Sequence, residues 1–276
     1  MTTKFFLKQK LRKILVIASQ PTPAQLIINV RNAGGDLLRE RLLANTSDET
    51  ITLEFQRADG THVTQLIDFR AEVQVFRVVV LAEEEQGHRE PQVLCFLIRF
   101  NRLGFISVDA MSKLRQRNPL AEREPEDDRG RELVQLDLSV DLSRAGLISP
   151  HVATLCADAH QATFARQGDI QAWAASPARQ ASGQDPLMLT TAVRPAPGTT
   201  EAAAGLRCGS LPHRTSGPCG CHLQLCVAWF PCGLKWCRDA RRAAFRCGIR
   251  SCRKCREFRF PVTDRMQCLW DDVSTS

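Results

Sequence analysis

The sequence predicts an α+β body followed by a small cross-linked module, on three observations. Segments such as 51–55 and 133–142 alternate apolar with polar residues, the period of a half-buried strand. Two segments open with helix-start signals, at Ser107 and at Ser149. Ten of the twelve cysteines lie between Cys208 and Cys268. Over 207–265, thirteen Lys and Arg stand against three Asp and Glu, a net of +10 in a chain of +7 overall. A hydrophobic content of 43% supports a core in the body. A module of roughly 60 residues needs disulfides or metal to hold its shape.

The elements follow in order. Met1 to Lys13 is basic, and the apolar stretch Ile14 to Ala18 leads into Gln20-Pro21-Thr22-Pro23-Ala24. Residues 1–24 read as a degenerate signal-like segment, its apolar stretch shorter than the roughly 7–15 residues of an export signal. Nothing approaches the roughly 20 apolar residues of a membrane-spanning helix, so no membrane span is expected. Leu26 to Val30 is a short apolar run closed by the turn signal Asn32-Ala33-Gly34-Gly35. Ile51, Leu53 and Phe55 mark a strand, Ala58-Asp59-Gly60-Thr61 a hairpin turn, and His62 to Phe69 the partner strand. Val73 to Leu81 is rich in β-branched residues and fits a strand or a helix, whereas Gln92 to Phe100, with Cys95, is strongly β-like.

Ser107 caps a helix whose apolar stripe is Val108, Met111 and Leu114, and Asn118-Pro119 ends it. Glu122 to Arg131 is charged and reads as a mobile loop. Val134, Leu136, Leu138, Val140 and Leu142 then face one way in a single strand. Ser149-Pro150 opens the second helix, with Val152, Leu155, Cys156 and Ala159 on one face. The body therefore spans 25–173. Residues 174–206, rich in Ala, Pro, Gly, Ser and Thr, read as a disordered linker, and 207–272 as the basic cysteine-rich module.

The module's cysteines are Cys208, Cys219, Cys221, Cys226, Cys232, Cys237, Cys247, Cys252, Cys255 and Cys268. Only Cys252 and Cys255 have the common zinc-knuckle spacing, with His213 and His222 available to complete a site. Disulfides and zinc both remain open on spacing alone, and the compartment decides between them. A redox role for Cys252-x-x-Cys255 lacks its usual context after a strand and at a helix start. His151 has no nucleophile or carboxylate at a recognisable spacing. No phosphate loop, dinucleotide fingerprint or hydrolase elbow is present, so neither an enzyme nor a cofactor is expected. Asn45-Thr46-Ser47 fits a glycosylation acceptor. The basic charge, interleaved with Trp229, Trp236, Phe245, Phe258 and Phe260, admits three readings: a solvated surface, an extracellular anion such as a sulfated glycosaminoglycan or an acidic cell-surface protein, or nucleic acid.

The chain resembles the out-at-first family. The resemblance rests on Ala58-Asp59-Gly60-Thr61 with Asp68-Phe69; Val75-Phe76-Arg77; Leu94-Cys95-Phe96; Ala110 to Gln116; Leu147-Ile148-Ser149-Pro150-His151; Ala228-Trp229-Phe230-Pro231-Cys232; and Cys247 to Cys252, ending in Cys268-Leu269-Trp270. It covers about residues 26–272 in one order. Within it the body resembles a BRICHOS domain, a sheet flanked by two helices, with Asp68-Phe69, Cys95 and Cys156 in the family's places. That resemblance implies a Cys95–Cys156 disulfide, an extracellular or lumenal setting, and chaperone-like binding of extended polypeptide. Asp68 reads either as a strand-end carboxylate in water or as a partly buried carboxylate whose protonation changes how the domain opens or assembles. The resemblance also favours disulfides among Cys208, Cys219, Cys221, Cys232, Cys237, Cys247, Cys252 and Cys268. Cys226 and Cys255 are extra to the family's ten cysteines and either pair together or stay unpaired.

The leading expectation is thus a secreted, non-enzymatic, disulfide-stabilised protein that binds a polypeptide client or a cell-surface protein. The extended polypeptide bound is either a client or the chain's own C-terminal strand, for which Glu257 to Val262 is the candidate, since Phe258 and Phe260 alternate with charge. The alternatives are an intracellular zinc module that binds nucleic acid, and a developmental signalling ligand without chaperone activity.

Overall fold

A computed structural model describes residues 24–31, 37–82, 89–116, 118–177, 179, 185–199, 206–211, 217–239 and 243–268. The signal-like segment up to residue 23, the turn at 32–35 and His213 lie outside the described residues.

Six strands form an antiparallel meander in chain order: β1 (Ala24–Arg31), β2 (Leu37–Asn45), β3 (Thr50–Gln56), β4 (His62–Asp68), β5 (Val73–Val80) and β6 (Gln92–Arg99). The β3–β4 turn forms as its residues dictate. Gly60 takes φ +86°, which an L side chain rarely adopts, and a Cβ there would meet Leu81 Cδ1 at 2.6 Å. The Asp59 carboxylate accepts the Thr61 amide at 2.9 Å. The meander is extended on both sides. β7 (Glu122–Arg123) runs parallel to β1. β10 (Thr163–Ala165) runs parallel to β6, followed outward by β9 (Leu138–Val140) and β11 (Val193–Pro195). Among the described residues this makes one ten-stranded sheet. A second sheet has the order β12 (Cys219–Arg238), β13 (Ala244–Val262), β8 (Asp127–Gln135).

The large sheet is covered on both faces around β5 and β6. Val73, Val75, Cys95 and Leu97 pack with α2 (Val152–Leu155), α3 (Gln167–Ala174) and α4 (Pro186–Thr190) through Val152, Ile170, Trp173 and Leu189. On the opposite face, Phe76, Val78, Leu94, Phe96 and Ile98 pack against the second sheet. Double coverage explains why 73–81 and 92–100 are near-continuous apolar runs, and why period alone could not separate strand from helix at 73–81. A further helix, α1 (Val108–Ser112), begins where expected, with Ser107 Oγ accepting the Ala110 amide at 3.2 Å.

Several expectations are corrected. The expected α+β body, a sheet with flanking helices, is mostly strand: α1 to α4 run only five, four, eight and five residues, and the hairpin covers the sheet face opposite α2 to α4. The single strand at 133–142 is two strands in different sheets. Its path divides at Leu136, whose amide donates to Arg259 O, while the Asp137 amide donates to Ala165 O. The charged segment 122–131 is largely strand, in β7 and β8, because the basic hairpin neutralises it: Arg253 holds Asp128 at 2.7 Å and Lys235 pairs with Glu126, while Lys254 holds the adjoining Glu132 at 2.6 Å. Within 174–206, α4 and β11 form in place of a disordered linker, anchored by buried Leu189, Ala192 and Ala196. The second helix begins at Val152, not at Pro150: the Ser149 hydroxyl donates to Asp68 and accepts the His151 amide at 3.3 Å, which lies before the first helical residue.

Candidate polypeptide-binding face

The β12–β13 hairpin reaches the large sheet through alternate residues of β13. Phe258 and Phe260 are fully buried. Phe258 stacks on Phe96 at 4.6 Å between centroids and leans on Phe76 at 5.3 Å. Phe260 lies 5.1 Å from Phe96 and 4.9 Å from Phe164. These rings cover an apolar strip of β5, β6 and β10 that would otherwise face water. β13 also adds as a parallel strand to β8, pairing Cys255–Arg259 with Arg131–Gln135. The segment 257–262 is therefore held by backbone pairing on one edge and by side-chain burial on one face, the two ways an extended peptide is gripped.

Charge on this strand is only partly compensated. Arg256 lies over the Phe76 ring at 5.2 Å and 3.6 Å from Glu132. Burial pulls its guanidinium down to about 10, with Glu132 opposing the shift. Burial would raise the Glu132 carboxyl, but Lys254 above all, with Arg256 and Arg166, holds it below its ordinary value.

Sequence reasoning missed Glu40. It is fully buried on β2, and its carboxylate accepts the Ala228 amide at 2.8 Å and the Trp229 amide at 3.1 Å. Those two residues are skipped in the β12–β13 register, so their amides have no cross-strand partner. Leu38, Glu40, Leu42 and Ala44 share one phase of the strand, which puts Glu40 inward and was the available signal. Burial pushes its pKa from 4.5 to about 8, against the two amide bonds. Glu40 thus binds its proton more tightly folded than unfolded. Its contribution is fully present below about pH 4.5 and lost as pH rises through about 8. Between about pH 5 and pH 9 the chain should lose on the order of 1–3 kcal/mol relative to Glu40→Gln. Parallel melting-temperature profiles for the two would remove this assignment.

The other candidate residues are placed as follows. Asp68 ends β4 in the interior, 1% exposed, accepting the Ser149 hydroxyl at 2.7 Å and the Ala71 amide at 2.9 Å. Nearby Arg179 donates to the carbonyls of Leu147, Ile148 and Ala71. Burial lowers its pKa while Asp68 and Glu72 offset the shift. Together these groups fasten the sheet to the helical layer. Asn45 is exposed at the end of β2. Its Oδ1 accepts the Ser47 amide at 3.0 Å, and its Nδ2 donates to Asp48. His151 precedes α2 without capping it, and His222 Nδ1 lies 3.2 Å from Glu257.

All twelve cysteines are in disulfides. Cys95 joins Cys156, strand to helical layer. Cys226–Cys255, Cys232–Cys252 and Cys237–Cys247 are rungs across the hairpin, and Cys226 stands directly opposite Cys255 in register. Cys208–Cys219 and Cys221–Cys268 tie the flanking segments to it. Cys252 and Cys255 belong to different bridges, so they form no dithiol pair, and no thiol is left for zinc. One bridge lies inside the body and five lie inside 208–268. None crosses between them.

The family model described as Out at first matches residues 24–173, and the one described as Out at first, C-terminal, matches residues 207–272. The Out at first protein of Drosophila virilis is 42% identical over 271 residues, covering 94% of this chain and 86% of that protein. That of Drosophila melanogaster is 40% identical over 263 residues, covering 90% of this chain and 52% of that protein, so the chain spans about half of its length. No solved structure matches the chain.

Proposed function

The chain belongs to the out at first family, and from that premise we propose that it is a secreted, non-enzymatic protein that binds extended polypeptide in a chaperone-like way. The binding surface is the aromatic strip of β5, β6 and β10 together with the edge of β8. In the closed chain both are occupied by β13. One observation carries this reading: the hairpin is internally stapled by disulfides, yet no bridge ties it to the body. It can lift as a unit with every bridge intact and leave Phe76, Phe96 and Phe164 free for another strand. The BRICHOS-like reading of the body is part of this proposal, and six disulfides are compatible with an oxidising, extracellular setting. No helix among the described residues is long and apolar enough to cross a membrane.

A second reading, an extracellular signalling ligand without chaperone activity, draws on the far end of the hairpin. There Arg246 lies over the exposed Trp236 at 5.4 Å, with Arg238 and Arg250 also exposed, a surface suited to an acidic cell-surface protein or a sulfated glycosaminoglycan. The intracellular zinc and nucleic-acid reading needs free thiolates, and the bridges consume them.

The test is fibril growth of an aggregation-prone peptide with the secreted, oxidised chain added at substoichiometric ratio. A lengthened lag is expected, and a longer one with Phe260→Ala, which loosens the cover. An unchanged lag with both proteins would eliminate the chaperone part and leave the ligand reading.

A further inference from the structure

Between the two sheets, beside the aromatic packing, lies a cavity of about 430 Å³ with a different character. Five cationic residues line it, Arg99, Arg129, Arg166, Lys254 and Arg256, against a single carboxylate, Glu132. Three of the cations pair with a carboxylate outside the lining: Arg99 with Glu72, which it shares with Arg102, Arg129 with Asp127 and Arg166 with Asp169. Lys254 and Arg256 share Glu132 alone.

The floor comes from the large sheet. Gln65 on β4 and Gln74 on β5 project into an otherwise apolar face, 4% and 6% exposed. Two buried polar atoms of the lining have no hydrogen-bond partner, Gln74 Oε1 and Arg256 Nε. The Arg256 Nε–Glu132 Oε2 separation of 3.6 Å is an ion pair without a hydrogen bond. Buried polar groups are normally satisfied, so each orphan specifies what it lacks. Arg256 Nε lacks an acceptor, and Gln74 Oε1 lacks a donor.

We propose that this cavity is a binding site for a small hydroxylated oxyanion, a sugar carrying a phosphate or sulfate ester. The ester oxygens would accept from Arg256 and Lys254, and a sugar hydroxyl would donate to Gln74 Oε1. The volume lies within the range of small-ligand pockets, about 300–1,000 Å³. Tetrahedral oxyanions suit the guanidinium fork. The site opens to solvent beside exposed Asn101, Leu103 and Gly104, and it is separate from the exposed arginines at the hairpin's far end.

Isothermal titration calorimetry on the oxidised full chain tests it with glucose 6-phosphate, glucose 6-sulfate, glucose and inorganic phosphate. Saturable one-to-one binding of at least one ester is expected, with glucose and inorganic phosphate each at least about tenfold weaker. Which ester binds better identifies the source of the anion. Arg256→Lys should weaken binding about tenfold. Gln74→Leu should weaken it several-fold while the unliganded melting temperature stays level or rises, because a buried orphan is removed. That second variant keeps the test decisive should Arg256→Lys fold poorly. Failure of both esters to bind at millimolar concentration would overturn the proposal. Equal binding of inorganic phosphate, insensitive to Gln74→Leu, would also overturn it by reducing the site to unspecific charge.

Discussion

Phe258→Ala is expected to destabilise the chain by about 3–5 kcal/mol, the range for removing a large buried aromatic. The effect is large because the ring is shared. It stacks on Phe96 and leans on Phe76, and it lies on β13, the strand that carries the hairpin's contact with β8. Truncation leaves a cavity between two sheets whose backbones are held by their own ladders, so little collapse can offset it. Denaturant unfolding of wild type and variant, followed by tryptophan fluorescence, measures the difference. Trp229, on β12, should report an early transition in the variant, while Trp173, under the helical layer, should not. A single coincident transition shifted by less than about 1 kcal/mol would contradict this placement of the ring.

Removing the Cys95–Cys156 bridge by a double change to alanine should cost about 4 kcal/mol, from the loop entropy of its 61-residue separation. The loss should fall on the other face. Cys95 is a β6 residue facing the helical layer, and Cys156 ends α2, so the bridge holds that layer to the sheet. The hairpin bridges would remain, and so would its rings against Phe96. Urea midpoints for the oxidised double variant measure the cost, and a fall of less than about 1 kcal/mol would show that Asp68, Ser149 and Arg179 fasten the layer unaided.

How far the sequence could be read depended on whether a segment's partner lay nearby. The β3–β4 hairpin was legible because Asp59 and Gly60 encode the turn and Ile51, Leu53 and Phe55 encode the face. The Ser107 cap was legible for the same local reason. β8 was not, because its acidic residues look like solvent-exposed loop until the basic strand about 120 residues later is beside them. The division at Leu136 was hidden because one apolar phase serves two sheets in succession. Glu40 was hidden because its need comes from two amides on β12, nearly 190 residues away. Phe258 and Phe260 were legible as an alternating pair, but the rings that receive them were known only as strand residues.

The most direct test of a detachable cover is native-state hydrogen exchange on the oxidised chain in low denaturant. The amides joining β8 to β13 are expected to exchange together through a partial opening, before those joining β3, β4, β5 and β6, with all six disulfides intact by mass. Exchange of both sets only through the same global unfolding would mean that hairpin and body are one inseparable unit, and would contradict the proposal that β13 yields its place to another strand.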